Sequence, residues 1–352
     1  MNLRSALARL FMPARIRRLV KLNELITGYW VTQAIHVAAK LGIPDVLGDR
    51  WVAAADVATA VGADPDAVYR LLRALSAAGV TLEAPDKRFS LTMLGKQLRS
   101  GAAGSMRNWA IYNGEGWHWR AWGALLESTR AGRTAMQNVH GAHLFDFLAH
   151  DVEAEKVFDA AMADLATIDN LALVSSYRFP PRSKIVDVGG GNGALLASLL
   201  KTFPEVTGTL YDRPAVAEKA RATLAAAGVD ARADIEEGDF FARVPSGGDV
   251  YVLKQVLHDW GDERATQILN TCRTAMGPGA RLLVIEIVIA DGPAAQIAKL
   301  TDLEMLTMTG GRERTLEEYR ALAEAAGFRI VGFHATRTPF SIVECMRSRR
   351  FY

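Results

Sequence analysis

The second half of this 352-residue chain alternates apolar strand patterns with helix patterns, and this alternation restricts the fold more than any other feature. It begins with the buried-strand pattern KIVDV at residues 184–188, passes through a glycine-rich turn and continues as a helix over residues 194–202. Such alternation is typical of an α/β protein with a parallel, doubly wound sheet. The last two strand patterns, at residues 328–335 and 341–347, have no helix between them. We therefore expect an antiparallel hairpin at one edge of that sheet.

The first half of the chain is predicted to be mostly helical, with one small β element. Asp64 and Pro65 mark a helix start, because aspartate caps the first turn and proline suits the first helical position. That helix runs over residues 65–78 and is followed by two short strand patterns, at residues 80–84 and 88–92. A helix, a turn, a second helix and a β-hairpin in this order predict a winged helix.

Winged helices often bind DNA, but the charge of this segment argues against that role. Residues 52–100 carry six basic and five acidic side chains, and the whole chain has 41 basic and 39 acidic residues. A protein that binds the phosphate backbone needs a basic patch. We therefore expect a packing or dimerisation role and no nucleic-acid partner. A cofactor-sensing transcription regulator is the non-enzyme alternative.

The N-terminal 23 residues contain six basic residues and no acidic one. This composition suits a transit peptide, a membrane-surface helix or a helical arm that packs on a partner subunit. We favour the arm, interrupted at Pro13 and followed by a single helix over residues 22–39. No apolar run approaches the length of about 18 residues that a membrane span needs, so no membrane partner is expected. Only two cysteines are present, which indicates a cytoplasmic protein without a disulfide framework.

Glycines and polar side chains stand where the predicted strands end, and ligands of an open α/β sheet bind at that edge. The turn DVGGGNG at residues 187–193 allows the backbone to approach a ligand closely. Asp212 follows the second strand, 25 positions after Asp187, where an acid can accept hydrogen bonds from both hydroxyls of a ribose. The next three strands also end in polar or aromatic residues, namely GDF at 238–240, LKQVLHDW at 253–260 and Glu286.

Two cofactors are compatible with the glycine turn. Residues 189–194 fit the dinucleotide-binding pattern G-x-G-x-x-[GA], so an NAD(P)-dependent oxidoreductase remains an alternative function. However, the turn begins only 165 residues before the end of the chain, which leaves little room for a second mononucleotide half and a substrate domain. The acids Asp187, Asp212 and Asp239 suit the cationic ammonium and sulfonium of S-adenosylmethionine better than a pyrophosphate.

Taken together, these stretches resemble the plant-type small-molecule O-methyltransferases and their bacterial antibiotic-pathway relatives, such as anthracycline and phenazine O-methyltransferases. The matching stretches occur in the order and spacing of the family: DVGGGNG at 187–193, YDRP at 211–214, GDFF at 238–241, LKQVLHDWGDE at 253–263, IE at 285–286 and GGRERTLEEY at 310–319. The similarity covers nearly the whole chain. It is thinner over residues 1–20 and weakest in the aromatic-rich middle of the chain.

The resemblance implies a homodimer and three segments. Residues 1–104 would form the N-terminal arm and a winged-helix-like dimerisation domain. Residues 105–180 would be a helical connector that lines the acceptor pocket. Residues 181–352 would form the methyltransferase domain with a Rossmann-like sheet. This domain would bind S-adenosyl-L-methionine, and S-adenosyl-L-homocysteine would be the product formed from it.

The resemblance also implies that His258 is the general base and that Glu286 and Glu313 orient or shield it. A phenol has a pKa of about 10, so a histidine can take its proton as the oxygen attacks the methyl carbon. No metal is expected, because the sulfonium is already an activated leaving group. The residues implied in cofactor binding are Asp187, Gly189, Gly190, Gly191, Asp212, Arg213, Gly238, Asp239, Phe240, Lys254 and Trp260.

The implied acceptor is an aromatic small molecule of secondary metabolism that carries a hydroxyl group. Aromatic side chains over residues 105–177 can serve core packing or line a pocket for a flat substrate. The residues implied in acceptor binding are Trp109, Tyr112, His143, Phe147, Phe158, Met162, Asp259, Asp302, Met305, Leu306 and Thr309. Some relatives use the bound cofactor for hydroxylation or other chemistry without methyl transfer. These relatives often lack the histidine, so His258 favours methyl transfer.

Overall fold

The computed structural model of the protein describes residues 12–290, 292 and 296–348. Arg4 and Arg9 of the basic N-terminal arm lie outside these residues. By its internal contacts the chain divides into two compact units. The first unit comprises Met1–Trp119 and Asp151–Leu165, and the second comprises Arg120–His150 and Ala166–Tyr352. Among the described residues, no helix combines the length and the apolar character needed to span a bilayer.

The first unit is mainly helical and contains a small antiparallel sheet. Its helices α1–α6 are Ala14–Ile26, Gly28–Lys40, Ile43–Leu47, Ala54–Val61, Pro65–Ala77 and Arg107–Gly114. Its strands β1–β3 are Val52–Ala53, Thr81–Glu83 and Arg88–Leu91, and they pair in the order β1-β3-β2. Helix α4, helix α5 and the β2–β3 hairpin thus follow one another in the order that the sequence predicts.

Local signals explain where the elements of the first unit begin. Asp64 accepts a hydrogen bond of 2.8 Å from the backbone N–H of Ala67, and Pro65 is the first residue of α5, as the N-cap pattern predicts. Leu72 of α5 and Phe89 of β3 are fully buried in one apolar cluster. The hairpin is therefore held against α5 by the apolar face of that helix.

The prediction of a single helix over residues 22–39 is wrong. Helix α1 ends at Ile26, and α2 begins at Gly28. Between them, the hydroxyl of Thr27 donates a hydrogen bond of 2.8 Å to the carbonyl oxygen of Asn23. Threonine and glycine both have low helix propensity, so the helix breaks where these two residues are adjacent.

The aromatic-rich middle of the chain is helical, as predicted, and two of its helices continue from one compact unit into the other. Helices α7–α11 are Gly116–Gly123, Leu125–Ala131, Ala135–His140, Leu144–His150 and Val152–Ser176. The boundary between the units at residues 119–120 falls within α7, and the boundary at residues 165–166 falls within α11.

The second unit contains the predicted α/β sheet. Strands β4–β11 are Lys184–Val188, Thr207–Asp212, Ala233–Glu237, Val250–Lys254, Arg281–Ile289, Arg314–Thr315, Phe328–Ala335 and Phe340–Arg347. Helices α12–α16 are Ala194–Thr202, Pro214–Ala226, Asp262–Ala275, Gln296–Met308 and Leu316–Ala325. The strand order is β10-β11-β8-β7-β4-β5-β6, and the short strand β9 also pairs with β8.

The direction of the strands follows the prediction as well. Strands β4–β8 run parallel, with Asp187 opposite Leu210 of β5 and Val252 of β7. Strand β11 is antiparallel to both β8 and β10. Successive residues of β4, such as Ile185 and Val186, enter two separate apolar clusters on opposite faces of the sheet. Because both faces are covered, binding groups are left to the ends of the strands.

Candidate active site

The glycine turn after β4 has a backbone that other residues cannot easily adopt. Gly189, Gly191 and Gly193 have φ angles of 70°, 58° and 78°, a region that L-residues other than glycine rarely occupy. A Cβ atom on Gly190 would lie 2.9 Å from the carboxyl group of Asp187. The turn therefore wraps closely over that carboxyl group and exposes backbone at the edge of the sheet.

Asp187 is 1% exposed under this turn. Within the described part of the chain, its Oδ2 atom has no hydrogen-bond partner. Burial raises the pKa of Asp187 to about 7, the positive charge of Lys254 lowers it and the negative charge of Asp212 raises it. A buried carboxylate without enough compensating charge is a site that favours a cation.

The ends of β5 and β6 lie beside the glycine turn. Asp212 accepts hydrogen bonds from the backbone N–H groups of Gly191, at 2.9 Å, and Arg213, at 2.7 Å. The carbonyl oxygen of Asp212 accepts another from Gly238. Asp239 is exposed and accepts a bond of 2.8 Å from the N–H of Phe241. Both carboxylates are thus oriented by neighbouring backbone at the predicted cofactor edge.

Aromatic rings continue this edge from Phe240 to Trp260. Trp260 directly follows the turn Leu257–Asp259, which carries His258 and is named the catalytic turn below. Phe241 meets Trp260 edge to face, with ring centroids 4.7 Å apart, and Phe240 lies 6.3 Å from Trp260. Phe145 of α10 stacks on Trp260 at 6.1 Å. The guanidinium of Arg213 lies 5.7 Å from the centroid of the Phe145 ring. Phe145, which the sequence analysis did not assign to the site, therefore joins two residues predicted to bind the cofactor.

The chemistry of this edge fits S-adenosylmethionine. The buried Asp187 oxygen without a partner suits the cationic end of the molecule. The glycine turn admits a ligand next to the backbone, and aromatic faces such as those of Phe240 and Trp260 suit a flat base. The indole Nε1 atom of Trp260 is also buried and has no hydrogen-bond partner among the described residues.

The candidate base follows β7 in a constrained turn. Gln255 has a φ of 52°, which is a strained conformation for a residue other than glycine. A single 3₁₀ turn, Leu257–Asp259, then carries His258, which is 7% exposed. Val256 belongs to the same segment, and a Cβ on Gly189 would lie 2.9 Å from its side chain. The base-bearing segment thus packs directly on the glycine turn.

Three carboxylates surround the imidazole of His258. Its Nδ1 atom lies 3.0 Å from Glu313 Oε1 and 3.7 Å from Glu286 Oε2, and its Nε2 atom lies 3.7 Å from Asp259 Oδ1. Glu286 is fully buried, and its Oε1 atom accepts hydrogen bonds from the N–H groups of Val256 and Leu257. The structure therefore brings together His258, Glu286 and Glu313, as predicted, and it adds Asp259 to the group.

This charge distribution determines the protonation of the cluster. Burial disfavours the imidazolium, but the charges of Glu286, Asp259 and Glu313 outweigh burial and raise the pKa of His258 to about 10. Burial also raises the pKa of Glu286, and it raises that of Asp259 to about 6. With the pKa raised this far, both ring nitrogens of His258 carry a proton at neutral pH, and Glu313 Oε1 accepts the hydrogen bond from Nδ1.

The distances within this cluster would also admit a metal ion. Each of His258, Glu286 and Glu313 offers one potential ligand atom, and these three atoms lie within 4.8 Å of one another. However, Glu286 Oε1 already accepts two backbone hydrogen bonds, and Glu313 Oε1 is paired with the imidazole. The geometry is that of a hydrogen-bonded base.

A second segment, at residues 310–314, lies against the catalytic turn. A Cβ on Gly311 would lie 1.9 Å from the carbonyl oxygen of His258, so only glycine fits there. The N–H of Arg312 donates a bond of 2.8 Å to that same oxygen. Gly311 and the fully buried Arg314 were not predicted as site residues from the sequence. The only signal for either was its place in the GGRERT stretch beside Glu313.

Four of the predicted acceptor-binding residues belong to the first compact unit. Trp109 and Tyr112 stack with ring centroids 5.3 Å apart, and Phe158 meets Tyr112 edge to face at 6.0 Å. Met162 lies on the same helix as Phe158 and is half-buried. Asp164 accepts hydrogen bonds from the N–H groups at the start of α6, the helix that carries Trp109. An aromatic cluster therefore exists in this unit.

The other predicted acceptor-binding residues belong to the second unit. Asp302 accepts a bond of 2.9 Å from the N–H of Glu313, which links α15 to the catalytic cluster. The hydroxyl of Thr309 donates to the carbonyl oxygen of Met305, while Leu306 is half-buried. His143 is exposed, and the ring of Phe147 packs on His140. The described ring contact of Phe147 is thus with a residue of α9.

Known protein families match both halves of the chain. Residues 122–329 match the O-methyltransferase domain, and residues 23–100 match the O-methyltransferase dimerisation domain. The chain belongs to the O-methyltransferase family. It is 41% identical over 323 residues to phenazine O-methyltransferase PhzM of Lysobacter antibioticus, with 92% of this chain and 94% of that protein covered.

A solved structure extends the comparison to the cofactor. The crystal structure of the O-methyltransferase NcsB1 from neocarzinostatin biosynthesis, in complex with S-adenosylmethionine and 2-hydroxy-5-methyl naphthoic acid, is 35% identical, with a TM-score of 0.77. The alignment covers 90% of this chain and 95% of that one. The present O-methyltransferase thus has S-adenosylmethionine as its cofactor and the Rossmann-like methyltransferase fold, as predicted, and the oxidoreductase alternative is set aside.

Relatives with a different activity are similar as well. Aclacinomycin 10-hydroxylase RdmB of Streptomyces purpurascens is 36% identical over 337 residues, with 93% of this chain and 89% of that protein covered. Similarity of the whole chain therefore does not distinguish methyl transfer from hydroxylation, and the catalytic cluster has to do so.

Proposed function

We propose that this O-methyltransferase methylates a hydroxyl of an aromatic small molecule in secondary metabolism, with His258 as general base. The single observation that supports this mechanism is the contact of 3.0 Å between His258 Nδ1 and Glu313 Oε1. It orients the imidazole so that Nε2 is available to a hydroxyl. The turn that carries His258 packs on the predicted cofactor edge through Val256 and Gly189.

In this mechanism His258 Nε2 takes the proton of the acceptor hydroxyl as the oxygen attacks in line. S-adenosylmethionine, when bound, supplies a methyl group that is activated by its sulfonium. Glu286 and Glu313 stabilise the imidazolium that forms, and their burial keeps water away from Nδ1.

A bound cationic cofactor would make this base available. The protein alone holds a proton on His258 at neutral pH, because three carboxylates surround it. A bound cation close to an imidazole lowers the pKa of that imidazole. Asp187 would hold the cationic part of the cofactor and Asp212 its ribose hydroxyls, while Asp239, Phe240 and Trp260 would hold its adenine.

The proposed acceptor is a flat aromatic molecule. PhzM is named for a phenazine, and NcsB1 was solved with a naphthoic acid. The aromatic cluster of Trp109, Tyr112 and Phe158 offers flat apolar surface of the kind that binds such rings. We assign Asp259 to the acceptor hydroxyl. The other residues proposed to contact the acceptor are Met162, His143 and Phe147, and those on and near α15, namely Asp302, Met305, Leu306 and Thr309.

We further propose a homodimer formed through the N-terminal domain, in the cytoplasm and without a nucleic-acid or membrane partner. Helix α1 has no buried residue. Large apolar side chains on α1 and α2 are more than half exposed, which is typical of a subunit interface; they include Leu22, Leu25, Ile26, Tyr29 and Trp30. Light scattering on the purified protein should give twice the monomer mass, and a monomer would contradict this proposal.

Replacement of His258 tests the mechanism. His258→Ala should lower kcat by about 10²- to 10⁴-fold and leave the affinity for S-adenosylhomocysteine nearly unchanged, measured with labelled methyl donor and by calorimetry. His150→Ala, a change at an exposed histidine of α10, is the matched control and should retain full activity. Full activity of the His258 variant would falsify the proposed base. A hydroxylated rather than methylated product, detected by mass spectrometry, would instead place the chain with the hydroxylase.

A further inference from the structure

Arg314 is the most unusual charged residue near the catalytic turn, because it is fully buried and does not face the imidazole. Its relative exposure is 0%, although charged side chains are seldom buried unless they are paired. Its charge partner is Asp262, the first residue of α14, which accepts bonds of 3.0 Å from Nε and 2.8 Å from Nη2.

The remaining donors of Arg314 reach the backbone on both sides of the candidate base. Nη1 donates a hydrogen bond of 3.0 Å to the carbonyl oxygen of Leu257, the residue before His258. Nη2 donates a bond of 2.8 Å to the carbonyl oxygen of Trp260, two residues after it. One planar guanidinium therefore holds both ends of the short turn that carries the imidazole.

We propose that Arg314 is a positioning residue. It fixes the turn that carries His258, the proposed base, together with Trp260, which is proposed to contact the adenine. This inference rests on the proposed role of His258 as the base. Arg314 acts through that turn, since its bonds go to the backbone and to Asp262, and neither substrate nor cofactor needs to touch it. The segment that supplies it already contacts the turn through Arg312 and Glu313.

The chemistry of the side chain explains why an arginine stands here. A guanidinium presents several donors in a fixed plane, whereas lysine is a flexible point charge. Three acceptors in three directions, on Leu257, Trp260 and Asp262, match this fork. A lysine keeps the charge for Asp262 but cannot reach both carbonyl oxygens at once. A displacement of about 1 Å at a catalytic group can cost about 10²-fold in rate.

The test compares Arg314→Lys in two backgrounds, the wild-type protein and the His258→Ala variant. In the wild-type background we expect kcat to fall about 10²-fold and the affinity for S-adenosylhomocysteine to fall about 3- to 10-fold, because Trp260 moves with the turn. In the His258→Ala background we expect Arg314→Lys to change kcat by less than about 3-fold, because a misplaced base no longer matters. The loss of affinity should be the same in both backgrounds.

The control is Arg320→Lys, which changes an exposed arginine of α16 that pairs with Glu317; its kcat and affinity should equal those of the wild type. A merely structural role of Arg314 would lower kcat by the same factor in both backgrounds, in step with the melting temperature. That result, or a kcat for Arg314→Lys within about twofold of the wild type, overturns the proposal. If His258→Ala itself retains full activity, the base assignment fails, and the effect of Arg314→Lys on affinity still reports on the turn.

A second variant guards against loss of folding. Asp262→Asn removes the charge partner of Arg314 and leaves its two carbonyl acceptors in place. We expect it to fold and to lower kcat about 3- to 10-fold, less than Arg314→Lys, because the turn is still bonded at both ends. A larger loss for Asp262→Asn than for Arg314→Lys would show that the ion pair, not the hold on the turn, matters, and the proposal would be wrong.

Discussion

Two turns at the ends of neighbouring strands, β4 and β7, are built in opposite ways. The glycine turn at residues 189–193 depends on its own residues, which adopt positive φ angles, and it covers a carboxylate oxygen of Asp187 that has no described partner. The turn Leu257–Asp259 is held by Glu286, Glu313 and Arg314, which lie about 30 to 57 positions further along the chain. The cofactor edge thus keeps a buried carboxyl oxygen without a described hydrogen-bond partner, while the base is held by many bonds.

This difference has a physical rationale. A site for a cationic ligand gains affinity when a buried carboxylate lacks a partner until the ligand arrives. A general base gains rate when its position and tautomer are determined in advance. We therefore expect changes at the catalytic turn to affect kcat, and changes at the glycine turn to affect binding.

The largest effect is expected for Gly311→Ala. The new Cβ would lie 1.9 Å from the carbonyl oxygen of His258, so one of the two backbones has to move. We expect kcat to fall by about 10²-fold or more. Gly277→Ala is the matched control, because a Cβ at Gly277 meets nothing within 4 Å. Steady-state kinetics of both variants, with circular dichroism to verify folding, would show whether the close approach matters; equal kcat values would contradict it.

Glu286→Gln should have a smaller effect with a distinct pH signature. Glutamine can still accept the bonds from Val256 and Leu257 but removes a negative charge beside the imidazole. The pKa of His258 should therefore fall, and the acidic limb of the kcat–pH profile should move to lower pH. On the plateau above that limb we expect a loss of about 10-fold in kcat, because the imidazolium is less stabilised. A profile that stays in place would show that Glu286 does not act on the base.

Asp187→Asn should weaken cofactor binding and leave the catalytic step nearly intact. We expect the Kd of S-adenosylmethionine to rise about tenfold, since one favourable charge is lost. In the wild type, affinity should increase as the pH rises through about 7, where Asp187 ionises, and the variant should lack this dependence. The variant should also melt at a higher temperature, because ionised Asp187 is buried at a cost above its unfolded pKa. Calorimetry at several pH values measures the affinity for S-adenosylmethionine. An unchanged affinity of the variant would show that Asp187 does not contribute to cofactor binding.

Glu344→Gln is expected to have the smallest effect on activity. Glu344 lies on β11, away from both turns, and accepts bonds from Tyr177, Arg281 and His334. Burial raises the pKa of Glu344, but the bonds from His334 and Arg281 outweigh burial and lower it. Its stabilisation is thus present above the ordinary glutamate pKa of about 4.3 and disappears as the pH falls through the lowered value.

We expect this variant to lose about 1–2 kcal/mol of unfolding free energy and to keep the wild-type kcat. Denaturant unfolding at neutral pH and at low pH measures the free energy of unfolding. The difference in this free energy between variant and wild type should be smaller at low pH. A large loss of kcat would show that polar clusters outside the two turns also support the reaction.

Sequence patterns predicted the sheet well, because strand patterns are local and the central strands, which are buried on both faces, are continuous apolar runs. Residues 328–335 were predicted as a strand and form β10 with the same bounds. The helix over residues 22–39 was predicted without its break, since a single Thr-Gly pair is a weak signal within a long apolar pattern. The residue motifs also predicted which side chains gather around His258, but only through the resemblance to a family.

The amino-acid sequence by itself determined the parallel sheet, the edge hairpin and the glycine turn, because apolar periodicity and glycine conformation act over a few residues. Only the tertiary structure decided which partners hold the base. Arg314 meets Leu257 and Trp260 because β9, which begins at Arg314 and pairs with β8, lies against the turn that follows β7. Such hydrogen bonds join residues more than 50 positions apart, and no local pattern encodes them. The tight approach of Gly311 to His258 was likewise invisible until both backbones were in place.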